Sequence, residues 1–234
     1  MIIGNGMMAK QFVSYKDNND VIICASGVSN SKETRDAEFV REYNLIEKLN
    51  DTHSDKLFVY FSTSSMYDPW EKKSLYVKHK LNIEEYIESN FKNYHIFRVS
   101  QIIGRANNAT LINYLINSIL LDKEFEVWGR TTRNFIALSD VYNIIDYIIK
   151  NQILKNKIVN IANPNNIAVL DVVNFIEEVL RKKARYKIIN HGFPFGKVNI
   201  SDIKEIINKL YIAFDEERYY LNAINKIIIN NRLE

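Results

Sequence analysis

The chain has 234 residues, of which 47% are hydrophobic and 25% charged, so it can bury one substantial core and a smaller lobe. Its 31 basic and 28 acidic residues are scattered and leave a net charge of +3, which argues against nucleic-acid binding because no basic stripe accumulates. We expect a cytoplasmic protein that does not bind membranes, since the sequence shows neither an export signal nor an apolar window long enough to span a bilayer.

Cysteine and histidine give no sign of a disulfide or a metal site. Cys24 is the only cysteine and follows the apolar residues 21–23, so we expect a buried, inert thiol. The histidines lack the short spacings of metal ligands, and no metal site is predicted. They are His53, His79, His95 and His191.

The first part of the chain alternates between strand and helix signals. Residues 1–3 are apolar and run into a glycine-containing turn, which is followed by a helical stretch that ends near Tyr15. Residues 21–25 form a continuous apolar run, typical of a parallel strand covered on both faces. Residues 36–49 have helical spacing, and residues 57–61 form a second candidate for a buried strand.

The same alternation continues through the rest of the chain. Helices are predicted at residues 75–91 and 111–121, with a strand at 95–99 between them. This order argues for a mostly parallel sheet with helices on both faces, which is the α/β class. Further elements are helices at 141–149, 169–181, 200–210 and 219–229, the last two in a terminal lobe, and a strand at 158–161.

The turn after the first strand carries a phosphate-binding pattern. Gly4, Gly6 and Ala9 fit G-x-G-x-x-G/A, in which the glycines permit a tight turn and a close approach of a pyrophosphate group. The pattern lies between a strand and a helix, as dinucleotide binding requires. The alternative is that the glycines only form a turn.

A tyrosine and a lysine stand one helical turn apart. Tyr76 and Lys80 are four residues apart, so they lie on the same face of the predicted helix. A neighbouring ammonium lowers the pKa of a phenol from about 10 by roughly 1–3 units, which makes the phenol able to exchange a proton with a sugar hydroxyl or carbonyl. The alternative is a chance pair in a chain with 14 tyrosines.

A run of hydroxyl side chains follows the strand at 57–61. Ser62, Thr63, Ser64 and Ser65 lie at its carboxyl end, which is the edge where open α/β sheets build ligand sites. One of these hydroxyls is a candidate to hold the reacting oxygen beside Tyr76. The alternative is a strand-to-loop junction in which the hydroxyls satisfy backbone groups.

Taken in order along the chain, these motifs resemble the extended short-chain dehydrogenase/reductases, the nucleotide-sugar epimerase/dehydratase family. The resemblance includes the glycine turn, the hydroxyl run up to Tyr67, and Tyr76-x-x-x-Lys80 followed by Glu84. It also includes three longer stretches, residues 20–26, 97–104 and 129–141. Six ordered matches are more specific than any single motif.

The resemblance implies an enzyme that uses NAD or NADP. It assigns Tyr76 as the acid/base, Lys80 as its electrostatic partner and ribose ligand, and Thr63, chosen by its spacing from Tyr67, as the catalytic hydroxyl. The implied cofactor-binding residues are Gly4, Gly6, Met7, Met8, Ala25, Ser26, Lys80, Gln101 and Ile102.

The resemblance also implies a nucleotide-sugar substrate. Ser64 and Ser65 stand where sugar 4,6-dehydratases carry an Asp-Glu pair, so epimerase or ketosugar reductase activity is favoured over dehydration. Arg133 matches an arginine that contacts the sugar-nucleotide diphosphate, and the implied substrate-binding residues are Ser64, Ser65 and Arg133. The alternative for Arg133 is a surface residue that caps Asp140 or faces solvent. The family further implies polysaccharide biosynthesis and a homodimer formed through a four-helix bundle of the helices at 39–49 and 75–91.

The sequence departs from the family near its start. Asp20 follows Gly6 by only 14 positions, where the family inserts two further strands, the second of which ends in the group that reads the adenosine ribose. The fold is therefore expected to be Rossmann-like, doubly wound and mostly parallel, without two strands of the adenosine-binding half, so that residues 1–3 form the sheet edge.

Two regions and two functions are therefore expected. Residues 1–160 are assigned to the truncated dinucleotide-binding domain and residues 161–234 to a small substrate-binding lobe, with residues 104–135 contributing to the substrate cleft. The leading interpretation is the enzyme. The alternative is a cofactor-poor relative that binds a sugar nucleotide or serves as a non-catalytic partner subunit.

Overall fold

A five-stranded parallel sheet lies at the centre of the computed structural model, which describes residues 1–104, 110–214 and 218–232, the side chains of 230–232 excepted. The predicted segment 104–135 thus includes residues 105–109, which lie outside the described part. The described strands are β1 (Ile2–Ile3), β2 (Val21–Cys24), β3 (Leu57–Thr63), β4 (Tyr94–Val99), β5 (Gln101–Ile103), β6 (Phe125–Trp128), β7 (Thr132–Arg133), β8 (Phe135–Ala137), β9 (Lys157–Ile161), β10 (Ile167–Ala168) and β11 (Tyr186–Ile189).

The helices follow the predicted alternation closely. One difference is that the helix after the glycine turn ends at Gln11, and a separate 3₁₀ turn covers Val13–Tyr15. No described helix is both long and apolar enough to cross a membrane. The helices are α1 (Met7–Gln11), α2 (Asp36–Thr52), α3 (Leu75–Asn90), α4 (Leu111–Leu120), α5 (Leu138–Lys150), α6 (Val169–Leu180), α7 (Lys204–Lys209) and α8 (Tyr219–Arg232).

The strand order of the main sheet is β1-β2-β3-β4-β9, with every neighbouring pair parallel. All of its carboxyl ends therefore lie along one edge. In the described part of the chain no strand pairs with the outer side of β1. The expectation of a Rossmann-like parallel sheet whose edge is the first short strand is confirmed.

Side chains alternate between the two faces of this sheet, and each face has its own core. Phe58 and Tyr60 of β3 pack with α2 and α3, whereas Val59 packs with α5 on the opposite face. Because helices cover both faces, all four residues of β2 are buried, as their continuous apolar run predicts.

A third core forms the lobe beside the sheet, from α4, α6 and α8 with β6 and β8. Three two-stranded sheets, β5–β8, β6–β11 and β7–β10, lie outside the main sheet, and the sequence did not predict them. Part of the C-terminal segment packs on the main sheet and part of it packs in the lobe. Ile206 of α7 and Phe214 pack against the main sheet, whereas Ile224 of α8 packs in the lobe.

Candidate active site

The glycine turn lies at the carboxyl end of β1. Gly4 has φ +120°, and a Cβ atom there would lie 2.5 Å from the carbonyl oxygen of Ala25, so the turn requires glycine at this position. Gly6 differs, because a Cβ atom there would meet no heavy atom within 4 Å. Packing therefore does not explain Gly6, and its surroundings leave room for a ligand.

The residues around this turn are held by backbone and side-chain contacts. The N–H of Ala25 donates to the carbonyl oxygen of Ile3 at 2.8 Å, which joins β2 to β1. The carbonyl oxygen of Ser26 accepts a hydrogen bond from Arg41 at 3.1 Å. Met7 packs closely against Gly104, since a Cβ atom added to Gly104 would lie 2.6 Å from Met7 Sδ. Met8 is half-buried against the core of the α5 face.

The hydroxyl run lies at the carboxyl ends of β3 and β4. Thr63, the last residue of β3, donates from Oγ1 to Ser65 Oγ at 2.9 Å and accepts from the Ser65 N–H at 3.0 Å. Ser64 donates to Ser100 Oγ at 3.3 Å, beside β5. Within β5, which pairs with β8, Gln101 is exposed, and Ile102 packs on the core.

Tyr76 and Lys80 lie on the same buried face of α3, as their spacing predicts. The helix begins after Ser74, whose side chain accepts a hydrogen bond from the Val77 N–H at 3.1 Å. Tyr76 and Lys80 are 8% and 2% exposed. The Lys80 ammonium lies 6.0 Å from the centroid of the Tyr76 ring.

Lys80 has a partner that the sequence reasoning missed. Its Nζ donates to Glu42 Oε1 at 2.8 Å and to the Tyr60 hydroxyl oxygen at 2.9 Å. The Tyr60 hydroxyl in turn donates to Glu42 Oε1 at 2.6 Å. Glu42 also accepts from the Val28 N–H at 2.7 Å and lies 2.9 Å from Nε2 of His79.

The Glu42 carboxyl is charged within this network. Burial alone would raise its pKa, but the Lys80 ammonium and the hydrogen bonds from His79, Lys80 and Tyr60 hold that pKa well below its usual range. Burial and the Glu42 carboxylate raise the pKa of Tyr60 well above its ordinary value, so Tyr60 is neutral. One signal in the sequence points to Glu42: it interrupts the apolar stripe of Phe39, Ile46 and Leu49 on α2.

Arg133 also pairs with a carboxylate of the chain itself. Its guanidinium lies 3.3 Å from Asp68 Oδ2, and both side chains are largely buried. Asp68 additionally accepts a hydrogen bond from the Trp70 N–H at 3.0 Å. The alternative partner expected for Arg133, Asp140, accepts instead from the Tyr219 hydroxyl at 2.7 Å.

The loop that follows Thr63 packs on the lobe. The Gly196 N–H donates to the carbonyl oxygen of Tyr67 at 2.9 Å. The Trp70 ring is surrounded by three others, with centroid distances of 6.0 Å to Trp128, 5.4 Å to His191 and 5.6 Å to Phe193. We call these four residues the ring cluster.

The residues present fit part of a dinucleotide. The space at Gly6 suits a phosphate group, because even a methyl group there would meet no neighbour within 4 Å. An ammonium has three N–H donors. Lys80 directs two of them at Glu42 and Tyr60, which leaves one for a ribose hydroxyl. The described part of the sheet ends at β1, so it offers no further strand to carry an adenosine-reading group.

Solved structures with the same fold include proteins that act on nucleotide sugars. MoeE5, in complex with UDP-glucose and NAD, is 17% identical with a TM-score of 0.73 over 95% of this chain and 83% of that chain. UDP-glucose 4-epimerase from Thermotoga maritima, with UDP-glucose, is 16% identical with a TM-score of 0.69 over 97% and 82%. dTDP-glucose 4,6-dehydratase from Bacillus anthracis, with NAD, is 14% identical with a TM-score of 0.67 over 97% and 78%.

The family comparison rests on sequence. Among proteins with curated descriptions, none matches the chain. The sequence model of the NAD dependent epimerase/dehydratase family matches residues 9–162, a span that includes Thr63, Tyr76 and Lys80 and begins just after the glycine turn. The chain therefore belongs to the NAD-dependent epimerase/dehydratase family.

Proposed function

We propose that the chain is an NAD(P)-dependent epimerase or ketosugar reductase that acts on a nucleotide-activated sugar. The observation that carries this proposal is the buried pair on α3, in which the Lys80 ammonium lies 6.0 Å from the Tyr76 ring. An ammonium at that position favours proton exchange by the phenol. Tyr76 also packs in one apolar cluster with Met66, which follows Thr63 at the end of β3.

Each residue has a distinct role in this proposal. Tyr76 exchanges a proton with the reacting oxygen of the sugar, Thr63 hydrogen-bonds to that oxygen, and Lys80 stabilises the charge that develops on the phenol. When bound, the dinucleotide supplies the hydride transfer. The residues proposed to hold it are Gly4, Gly6, Met7 and Met8 at the phosphates, and Ala25, Ser26, Lys80, Gln101 and Ile102 at the nicotinamide riboside.

The substrate side of the proposal rests on three polar residues. Arg133 is proposed to bind the diphosphate. Because Asp68 is paired with the guanidinium, the phosphate oxygens must displace the Asp68 carboxylate. Ser64 and Ser65 are proposed to contact the sugar. Hydroxyls at these two positions, in place of an acidic pair, favour epimerisation or reduction over water elimination.

A second candidate function is a cofactor-poor family member that binds a sugar nucleotide or serves as a partner subunit. Two observations favour it. The ammonium of Lys80, which is proposed to meet the dinucleotide ribose, is already paired with Glu42. The short sheet edge at β1 also favours weak adenosine recognition.

Calorimetric titration with NADH and NADPH separates the two functions. Binding with a Kd near 1 µM, about −8 kcal/mol, supports the enzyme. Turnover of UDP-glucose or a related sugar nucleotide that disappears in Tyr76→Phe, with sugar-nucleotide binding retained, then supports the assigned chemistry. Sugar-nucleotide binding without dinucleotide binding favours the second function, and unchanged turnover in Tyr76→Phe removes that residue from the reaction.

We also propose a homodimer through a four-helix bundle of α2 and α3. Val40 and Tyr43 of α2 and Leu75 and Leu81 of α3 are large apolar side chains that stay exposed in the single chain. Light scattering would give twice the chain mass for the dimer. Replacing Val40 and Leu81 with lysine would then return the mass to that of one chain.

A further inference from the structure

Glu42 is a buried carboxylate to which the proposed reaction gives no role. Its side chain is 1% exposed. Four hydrogen-bond contacts converge on it from the loop after β2, from β3 and from α3: those of Val28, Tyr60, His79 and Lys80. A buried carboxylate is stable only when it is paired and hydrogen-bonded, so this convergence holds the charge of Glu42 in one place.

The position of Glu42 matters because its partner is Lys80. The Lys80 ammonium lies 2.8 Å from Glu42 Oε1 and 6.0 Å from the centroid of the Tyr76 ring. Charges in a buried site are poorly screened, so the charges of Lys80 and Glu42 both contribute to the potential at the Tyr76 phenol. A carboxylate beside an ammonium cancels part of the positive potential that the ammonium applies to a third group.

We propose that Glu42 is a positioning residue of the Tyr76–Lys80 pair, which fixes the Lys80 ammonium beside Tyr76 and reduces its effect on the phenol. The catalytic meaning of this inference rests on the proposed function, in which Tyr76 exchanges a proton with the sugar. With Glu42 in place, the pair carries no net charge, so the positive potential that reaches the phenol is smaller than that of Lys80 alone. Glu42 thereby favours Tyr76 as a proton donor, the role that reduction of a ketosugar requires.

Other titratable groups lie around the Glu42–Lys80 pair. Tyr60 is neutral because burial raises its pKa, and burial likewise raises the pKa of the Cys24 thiol to about 12. Arg41 of α2 is exposed and donates to the backbone of Ser26. His79 of α3 contacts Glu42 directly, so its contribution is removed by repeating each comparison in a His79→Gln background.

The experiment follows ionisation of the Tyr76 phenol by NMR in protein carrying isotope-labelled tyrosine, without cofactor or sugar. Tyr76→Phe assigns the signal. In Glu42→Gln the ionisation midpoint should fall by about one pH unit or more, because the Lys80 charge is no longer compensated. Glu47→Gln, an exposed carboxylate of the same helix, is the matched control and should not move it. A folded Glu42→Gln variant whose midpoint is unchanged or higher overturns the proposal.

A double variant decides the question if Glu42→Gln does not fold. Glu42→Gln/Lys80→Met removes both charges and leaves no unpaired ion in the core. Because the two opposed effects disappear together, the midpoint should stay within about half a pH unit of the unmodified protein. A larger rise would mean that Lys80 had acted without compensation and overturns the proposal. Neither measurement uses turnover, so failure of this inference is distinguishable from failure of the proposed function.

Discussion

The ammonium of Lys80 lies 2.8 Å from Oε1 of Glu42, and the two side chains are 3% and 1% exposed. The pair joins α3 to α2 beside the sheet. Gly27 lies directly against it, since a Cβ atom there would come within 2.5 Å of Glu42 Oε1 and 2.7 Å of Lys80 Nζ. The pair is therefore enclosed by the chain on several sides, and each partner depends on the other.

Breaking this pair should destabilise the fold. Glu42→Gln or Lys80→Met should each lower the free energy of unfolding by about 3–5 kcal/mol, because each leaves an uncompensated buried charge. The double variant should cost clearly less than the sum of the two. Urea unfolding followed by circular dichroism measures all three, with Glu47→Gln as the control. Strict additivity of the two single losses would show that the residues are not coupled.

The two glycines of the turn should respond differently to alanine. Gly4→Ala should lower stability by about 2 kcal/mol or more, because φ is +120° and the methyl group meets the Ala25 carbonyl. Gly6→Ala should leave stability unchanged, since its backbone is extended and the space beside it is open. If a dinucleotide phosphate occupies that space, Gly6→Ala should weaken NADH binding at least about tenfold. Thermal unfolding and calorimetry measure the two effects, and full NADH affinity in Gly6→Ala would contradict the assignment.

Asp68 should compete with an anionic ligand for Arg133. Asp68→Asn removes a carboxylate that lies 3.3 Å from the guanidinium, so UDP should bind about tenfold more tightly. Asp68→Asn/Arg133→Gln should lose that gain, and Asp17→Asn, an exposed carboxylate, is the control. Calorimetry with UDP provides the measurement. Equal UDP affinity with and without Asp68 would remove Arg133 from the diphosphate site.

His95 should make the fold sensitive to acid. Burial lowers its pKa to about 4 from an ordinary 6.5, so the unfolded chain binds more protons between these values. The stability that depends on neutral His95 is therefore complete above pH 6.5 and is lost as the pH falls towards 4, on the order of 3 kcal/mol in all. His95→Phe keeps a ring against Phe97 and should flatten this part of the pH dependence. Urea unfolding measures the free energy of unfolding of both proteins at each pH. If it changes equally for the two proteins between pH 6.5 and 4, His95 does not titrate in that range.

The central fold was predictable because its signals are local. The four buried residues of β2 form a continuous apolar run, and the length of α3 follows from helical spacing after Ser74. The spacing of Tyr76 and Lys80 likewise fixes their shared face. These patterns depend on residues close together in the sequence and not on tertiary contacts.

The contacts that define the charge of the site were not predictable in this way. Glu42 of α2 contacts Lys80 of α3 across 38 residues, and Arg133 of β7 contacts Asp68 of a loop across 65 positions. Only the fold brings these elements together. The pairing of β6 with β11 has the same character. The sequence does show Glu42 as a charged residue within an apolar helical stripe, but nothing in the sequence indicates that Lys80 is its partner.

The ring cluster is the source of the intrinsic tryptophan fluorescence of the protein. The chain has two tryptophans, Trp70 and Trp128, and both belong to this cluster, where the loop after Thr63 meets the lobe. Tryptophan emission therefore reports on that junction and not on the parallel sheet. A change in emission that precedes the loss of circular dichroism would reveal the lobe separating from an intact sheet. A ligand that displaces Asp68 from Arg133 would be visible in the same signal without any label, because Trp70 donates its backbone N–H to Asp68.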